Sequence, residues 1–94
     1  MRYRVLFVGI DMDLLTVRQR LFASRGYDSL IATPWNIDKK SQFGRFDLVI
    51  LSVMLSQEEK HHIQNKLPAG TRPLVLETLV WPRELLRMVA EALE

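Results

Sequence analysis

"FDLVILSVML", Phe46 to Leu55, decides how the rest of this sequence is read. Leu48 to Leu51 form an unbroken apolar run that includes β-branched Val49 and Ile50. A short run of this kind, with no polar alternation, fits a strand buried on both faces, as in a parallel sheet. The run stops at Ser52, and a polar stretch follows from Ser56. Buried parallel strands often deliver a reactive carboxylate at this point, and here the residue is a serine.

Toward the N-terminus, "YRVLFVGI" (Tyr3 to Ile10) is a second apolar run bounded by charge, and reads as the first strand. The period then changes. In "DMDLLTVRQRLFASRG", Leu14, Val17, Leu21 and Phe22 share one helical face, with Arg18, Gln19 and Arg25 mostly off it. Asp11 or Asp13 caps this helix, and Gly26 ends it in the left-handed conformation. "YDSLIAT" (Tyr27 to Thr33) is a second strand closed by Pro34, and "WNIDKKSQFG" a polar turn-helix closed by Gly44.

Toward the C-terminus, Ser56 and Glu59 have the spacing of a capping box at the head of "SQEEKHHIQNK", where Ile63 and Leu67 make a narrow apolar stripe. "PAGTRP" (Pro68 to Pro73) is a loop by composition, and "LVLET" (Leu74 to Thr78) a fourth strand. Pro82 suits the first turn of a last helix whose Leu85, Leu86, Val89 and Leu93 form one face. Strands alternating with helices imply parallel βαβ units, so residues 1–94 read as a single α/β domain. The in-phase positions Leu14, Val17, Leu21, Val49, Leu51, Val75, Leu85 and Val89 are its expected core.

Composition narrows the function classes. With 13 basic against 11 acidic residues, the formal charge is only +2, too mild to argue for nucleic acid. Arg2, Arg4, Arg18, Arg20 and Arg25 lack interleaved aromatics and read as a solvated face. The chain has no cysteine, which removes disulfides, thiol catalysis and Cys-based metal sites. No apolar run approaches the ~20 residues that span a bilayer. The opening "MRYRVLFVGID" has the basic-then-apolar order of a signal peptide, but the apolar part is short, no cleavage site follows, and Asp11 interrupts it. The expectation is a cytoplasmic protein with no membrane or nucleic-acid partner.

The residues able to do chemistry are sparse. Ser52 has no G-x-S-x-G elbow around it. His61 and His62 are adjacent on a helix, about 100° apart, and ill placed to share a metal; Glu58 and His62 suit a weak surface pair. "VGIDMD" carries acids where a nucleotide phosphate would need glycines, so no cofactor and no metal are expected. Trp35 and Trp81 fall at turns, where each either caps the core edge or forms a contact surface.

Taken in order, "RVLFVGIDMDLLTVRQRLFASRGY", "FDLVILSVML", "RPLVLET" and "WPRELLRMVAEALE" resemble the receiver domain of two-component response regulators over nearly the whole chain. The resemblance implies a flavodoxin-like three-layer sandwich, with about four parallel strands in order 2-1-3-4. The first and last helices would lie on one face and the middle helices on the other. It also implies where phosphotransfer residues belong. In receivers, two acids after the first strand bind Mg²⁺, and an aspartate after the third strand accepts the phosphoryl group. A Thr or Ser follows the fourth strand, and a Lys-Pro pair follows the fifth. The cation and the lysine offset repulsion between carboxylate and phosphoryl charges.

By this alignment Gly9 and Ile10 stand at the acidic pair, Ser52 at the phosphoacceptor, Trp81 at the lysine, and Thr78 alone matches, at the switch hydroxyl. A one-residue slide in register brings Asp11 nearer the site and leaves Ser52 where it is. Only Leu79, Val80 and Trp81 separate Thr78 from Pro82, which implies that most of a fourth helix and fifth strand is missing. The expectation is a truncated pseudo-receiver: not an enzyme, unable to accept a phosphoryl group, and acting in signal transduction through a protein partner or as a homodimer. Leu79, Val80, Trp81 and Trp35 would be its interaction surface, because losing a fifth strand leaves the fourth as an exposed edge. The alternative is a small ligand-binding or enzymatic domain using Asp11, Asp13, Ser52 and Thr78 at the C-terminal ends of the strands.

Overall fold

The computed structural model describes residues 2–37, 45–67 and 71–93. These form β1 (Arg4–Val8), α1 (Met12–Ser24), β2 (Asp28–Ala32), β3 (Leu48–Leu51), α2 (Gln57–Lys66), β4 (Arg72–Val75) and α3 (Pro82–Leu93). The four strands make one all-parallel sheet in the order β2-β1-β3-β4, the order expected. The chain steps one way from β1 to β2 and the other way from β3 to β4. The reversal leaves a crevice at the C-terminal ends of β1 and β3, where open α/β sheets take ligands. The turn-helix expected over residues 35–44 lies largely outside the described residues, as does the first half of the loop expected at 68–73, whose Arg72 and Pro73 instead begin β4.

The sheet is covered on both sides. Val5, Phe7, Leu48 and Ile50 face α1 and α3, packing on Leu15, Phe22, Leu85 and Val89. Leu6, Val8, Val49 and Leu51 face the other way, onto Ile63 of α2 and onto Ile37 and Phe46. The first and last helices therefore share one face, as expected. Alternate residues of β1 and β3 are buried on opposite faces, and for that reason these strands read as continuous apolar runs.

The helix signals hold locally. The Asp11 carboxylate accepts from the backbone N–H groups of Asp13 (3.1 Å) and Leu14 (3.2 Å). Ser56 and Glu59 form the reciprocal capping box, at 2.9 and 3.1 Å. At the end of α1, the N–H of Gly26 donates to Ala23 and that of Tyr27 to Phe22, with Gly26 at φ 90°. This is the Schellman closure that glycine makes without strain. Gln19 ties α1 to β2 through a 2.9 Å bond to the Ser29 carbonyl.

The phase of α1 differs from the expectation. Its buried residues are Leu15, Arg18 and Phe22, while Val17 is 55% exposed and Leu14 and Leu21 are only partly buried. Both readings have i, i+3, i+7 or i+4 spacing. Docking against α3 and the sheet selected the stripe one residue on, although it carries an arginine. Val49, Leu51, Leu85 and Val89 are buried as expected, and Val75 is partly buried.

The fourth strand also sits earlier than expected, at Arg72–Val75 rather than Leu74 to Thr78. The Leu76 N–H donates to the Leu51 carbonyl at 3.0 Å. In a parallel ladder, Leu74 and Leu76 therefore turn their backbone groups toward β3, and Pro73 and Val75 turn theirs outward. Pro73 has no N–H to expose, so Val75 offers the only outward donor within β4. Residues 76–81 then join β4 to α3 with no helix or strand between them.

Candidate functional site

The crevice at the ends of β1 and β3 is filled by the chain's own atoms. Gly9 and Ser52 are both buried, and the Ser52 N–H donates to the Val8 carbonyl at 3.0 Å. A Cβ on Gly9 would lie 2.6 Å from Ser52 Oγ, 3.1 Å from Ser52 Cβ and 3.2 Å from Leu15 Cδ2. The two positions that the resemblance assigns to an acid and to the phosphoacceptor are thus in contact, with no room for a side chain on Gly9.

Arg18 closes the crevice from the α1 side. It is 2% exposed, and its Nη1 donates to Ser52 Oγ at 3.4 Å. Burial lowers the guanidinium's pKa from its ordinary value while leaving it a cation. From the opposite face, Lys60 of α2 is also buried, and its Nζ reaches the Leu76 carbonyl at 3.5 Å. Both contacts are long for hydrogen bonds, and neither cation forms an ion pair among the described residues.

The sequence reading missed both. Arg18 was legible only if Leu15 and Phe22, three back and four on, had been taken as the buried stripe. Lys60 stands three residues before Ile63, on the same narrow face, where a lysine ordinarily signals solvent.

The other candidate residues do not join this crevice. Ile10 is exposed, Asp11 is occupied as the α1 cap, and Asp13 is an exposed first-turn residue. Thr78 is exposed beside β4 and lines a separate depression of about 260 Å³ with Glu77, Val80, Glu84 and Met88. Trp81 precedes Pro82 at the head of α3 and points into solvent. His61 and His62 lie on the exposed side of α2 with Glu58. Among the described residues no three His, Asp or Glu side chains gather as a metal site would require.

The C-terminal end of the sheet has a second property. Ile10 and Met12 follow β1, Trp35 follows β2, Met54 follows β3, and Leu79 and Trp81 follow β4. All six are exposed, from 42% at Ile10 to 80% at Trp81. Because the strands are parallel, these loops emerge at one end of the domain. Val80 is the exception, since it is partly buried and packs against the core cluster on the α1–α3 face of the sheet. No helix among the described residues is long and apolar enough to cross a membrane. The chain matches no protein-family model, and no curated protein matches it.

Proposed function

We propose that this domain is a non-catalytic interaction module, built like a flavodoxin-type receiver of two-component signalling but working without phosphoryl transfer. The observation that carries the reading is the apolar rim formed by Ile10, Met12, Trp35, Met54, Leu79 and Trp81 at one end of the sheet. Neighbouring parallel strands are ~4.8 Å apart, so loops after four strands crowd within about 15 Å. Together these side chains leave on the order of 700 Å² of apolar surface uncovered, near the ~800 Å² that each partner brings to a standard interface. Monomers rarely expose so much. The contact between Gly9 and Ser52, and the arginine lodged against it, support the non-catalytic half of the reading: a metal-binding acid at position 9 has no space there, and position 52 carries a serine in place of the acceptor carboxylate.

The partner we propose is a second copy of the chain. The contact is the rim, anchored by Trp81 and Leu79, rather than strand pairing at the β4 edge. Pro73 blunts that edge by removing one of its outward donors. Tryptophan is among the residues most enriched at interface hot spots.

Light scattering across a hundredfold dilution tests the proposal. The expected result is a twofold mass that falls toward the monomer on dilution, with Trp81→Ala raising the dissociation constant by at least ~30-fold. A monomer mass at every concentration rejects self-association. A dimer indifferent to Trp81→Ala and to Leu79→Ser places the interface elsewhere.

A further inference from the structure

The charges around the apolar rim are lopsided. Helices α1, α2 and α3 all begin at this end of the sheet, and their first turns and flanking loops expose Asp11, Asp13, Glu58, Glu77 and Glu84. In those segments Arg83, two residues beyond Trp81 in the first turn of α3, is the one exposed base among the described residues. Two copies meeting rim to rim therefore bring like charges together unless Arg83 lies against the acids of the facing copy. Within its own chain Arg83 forms no ion pair among the described residues, and neither does Glu77. Glu84 has only an exposed contact with Arg87, at 3.7 Å, of a kind worth little.

Glu77 and Glu84 also share a feature that the other acids lack. Both line the depression of about 260 Å³ beside β4, together with Leu79, Val80 and Met88. A cavity of this size falls below the ~300 Å³ at which small-molecule pockets begin, and suits a single long side chain. Apolar walls combined with two carboxylates match an arginine, whose stem packs on apolar surface while its guanidinium binds carboxylate oxygens. Leu79 belongs both to the depression and to the rim, so the two surfaces are continuous.

We propose that this depression seats Arg83 of a second copy, and that two reciprocal contacts, each Arg83 with the facing copy's Glu77 and Glu84, set the register of the rim-to-rim dimer. The inference rests on the self-association argued above and adds which side chains choose the orientation of the partner. A twofold interface uses the same patch twice, so the arginine of each copy meets the carboxylates of the other. Trp81 and Leu79 supply the apolar contact, which by itself is indifferent to rotation. A register that leaves Arg83 in solvent sets acids against acids, and is disfavoured for that reason.

The test is charge reversal with complementation, read by sedimentation equilibrium at low salt, where exposed charges are least screened. Arg83→Glu, and separately Glu77→Lys combined with Glu84→Lys, should each raise the dissociation constant of the homodimer at least ~10-fold, since each reversal acts twice in a twofold dimer. An equimolar mixture of the two variants should recover an affinity near that of the wild type, because the reversed charges then face each other. All three residues are exposed, so the substitutions leave the core untouched, and recovery in the mixture shows that both variants fold. General repulsion across an acidic rim would instead let Glu77→Lys with Glu84→Lys tighten the dimer, and that result overturns the pairing. So does a mixture no tighter than either variant alone. A wild-type dimer that Trp81→Ala weakens, but that both reversals leave unchanged, keeps the self-association and overturns this register. A wild type that is monomeric at every concentration rejects the association itself, and the pairing with it.

Discussion

Gly9 and Ser52, 43 residues apart in sequence, meet so closely at the ends of β1 and β3 that a single added methyl group on Gly9 would stand 2.6 Å from the Ser52 hydroxyl oxygen. Gly9→Ala is therefore an overpacking substitution, expected to cost about 1–3 kcal/mol. Turning the Ser52 hydroxyl away does not relieve it fully, because Ser52 Cβ stays at 3.1 Å. Adding Ser52→Ala to Gly9→Ala should recover part of the loss. Urea melts of the two single variants and the double variant give the coupling; strictly additive losses would separate the two sites.

Ser52→Asp should not turn the domain into a phosphoacceptor. The new carboxylate would lie beside the Arg18 guanidinium, which already reaches Ser52 Oγ, and the two would pair by charge-assisted hydrogen bonds. Gly9 and Ile10 supply no acid for Mg²⁺. Mass spectrometry after incubation with a small-molecule phosphodonor and Mg²⁺ should show no added phosphoryl group. A Mg²⁺-dependent gain would mean that Asp11 or Asp13 reaches the crevice.

The phase of α1 is open to direct measurement. Leu15→Ala should cost about 2–5 kcal/mol and Phe22→Ala about 3–5, because both are buried against the sheet. Val17→Ala should stay within about 0.5 kcal/mol, and Leu21→Ala should fall between them. Equal losses at Leu15 and Val17 would require the helix to be rotated.

Gly26 isolates a backbone effect from a packing effect. It sits at φ +90° with no atom within 4 Å of a built Cβ. Gly26→Ala should destabilise by about 1 kcal/mol through conformation alone, and Gly26→Asn by less, since asparagine tolerates the left-handed region. Thermal melts showing no loss for Gly26→Ala would place the helix end in another conformation.

Arg4 gathers several contacts at the opposite end of the sheet. Its Nε pairs with Asp28 at 3.0 Å, its Nη1 donates to the Arg45 carbonyl at 3.2 Å, and its guanidinium lies 4.9 Å from the Phe46 ring centroid. The ion pair is partly solvated, so Asp28→Asn should cost only about 0.2–1 kcal/mol, and less in 1 M salt. Arg4→Ala loses the other contacts too and should cost roughly 1–2 kcal/mol, with less dependence on salt. Denaturant melts at low and high salt distinguish the two.

The parts of this protein that depend on near neighbours are written in the order of its residues. Asp11, the Ser56–Glu59 box and Gly26 set three helix ends through atoms no more than five residues apart, and those were legible as spacing. The apolar runs of β1 and β3 declared a sheet covered on both faces, and the alternation with helices implied its parallel order. What the sequence could not settle was which of two adjacent helical stripes would dock. Leu14–Val17–Leu21 is the more apolar stripe by composition, yet Leu15–Arg18–Phe22 faces the sheet. That choice depends on long-range fit, in which Phe22 stacks edge-on against Phe7 at 4.9 Å and near Tyr27 at 5.2 Å. The same docking carries Arg18 to Ser52 across 34 residues, and the packing of α2 brings Lys60 in from the other face. Local propensity treats an arginine or lysine as solvent-facing; only the tertiary structure decides when its stem lies in the core and where its charge is held.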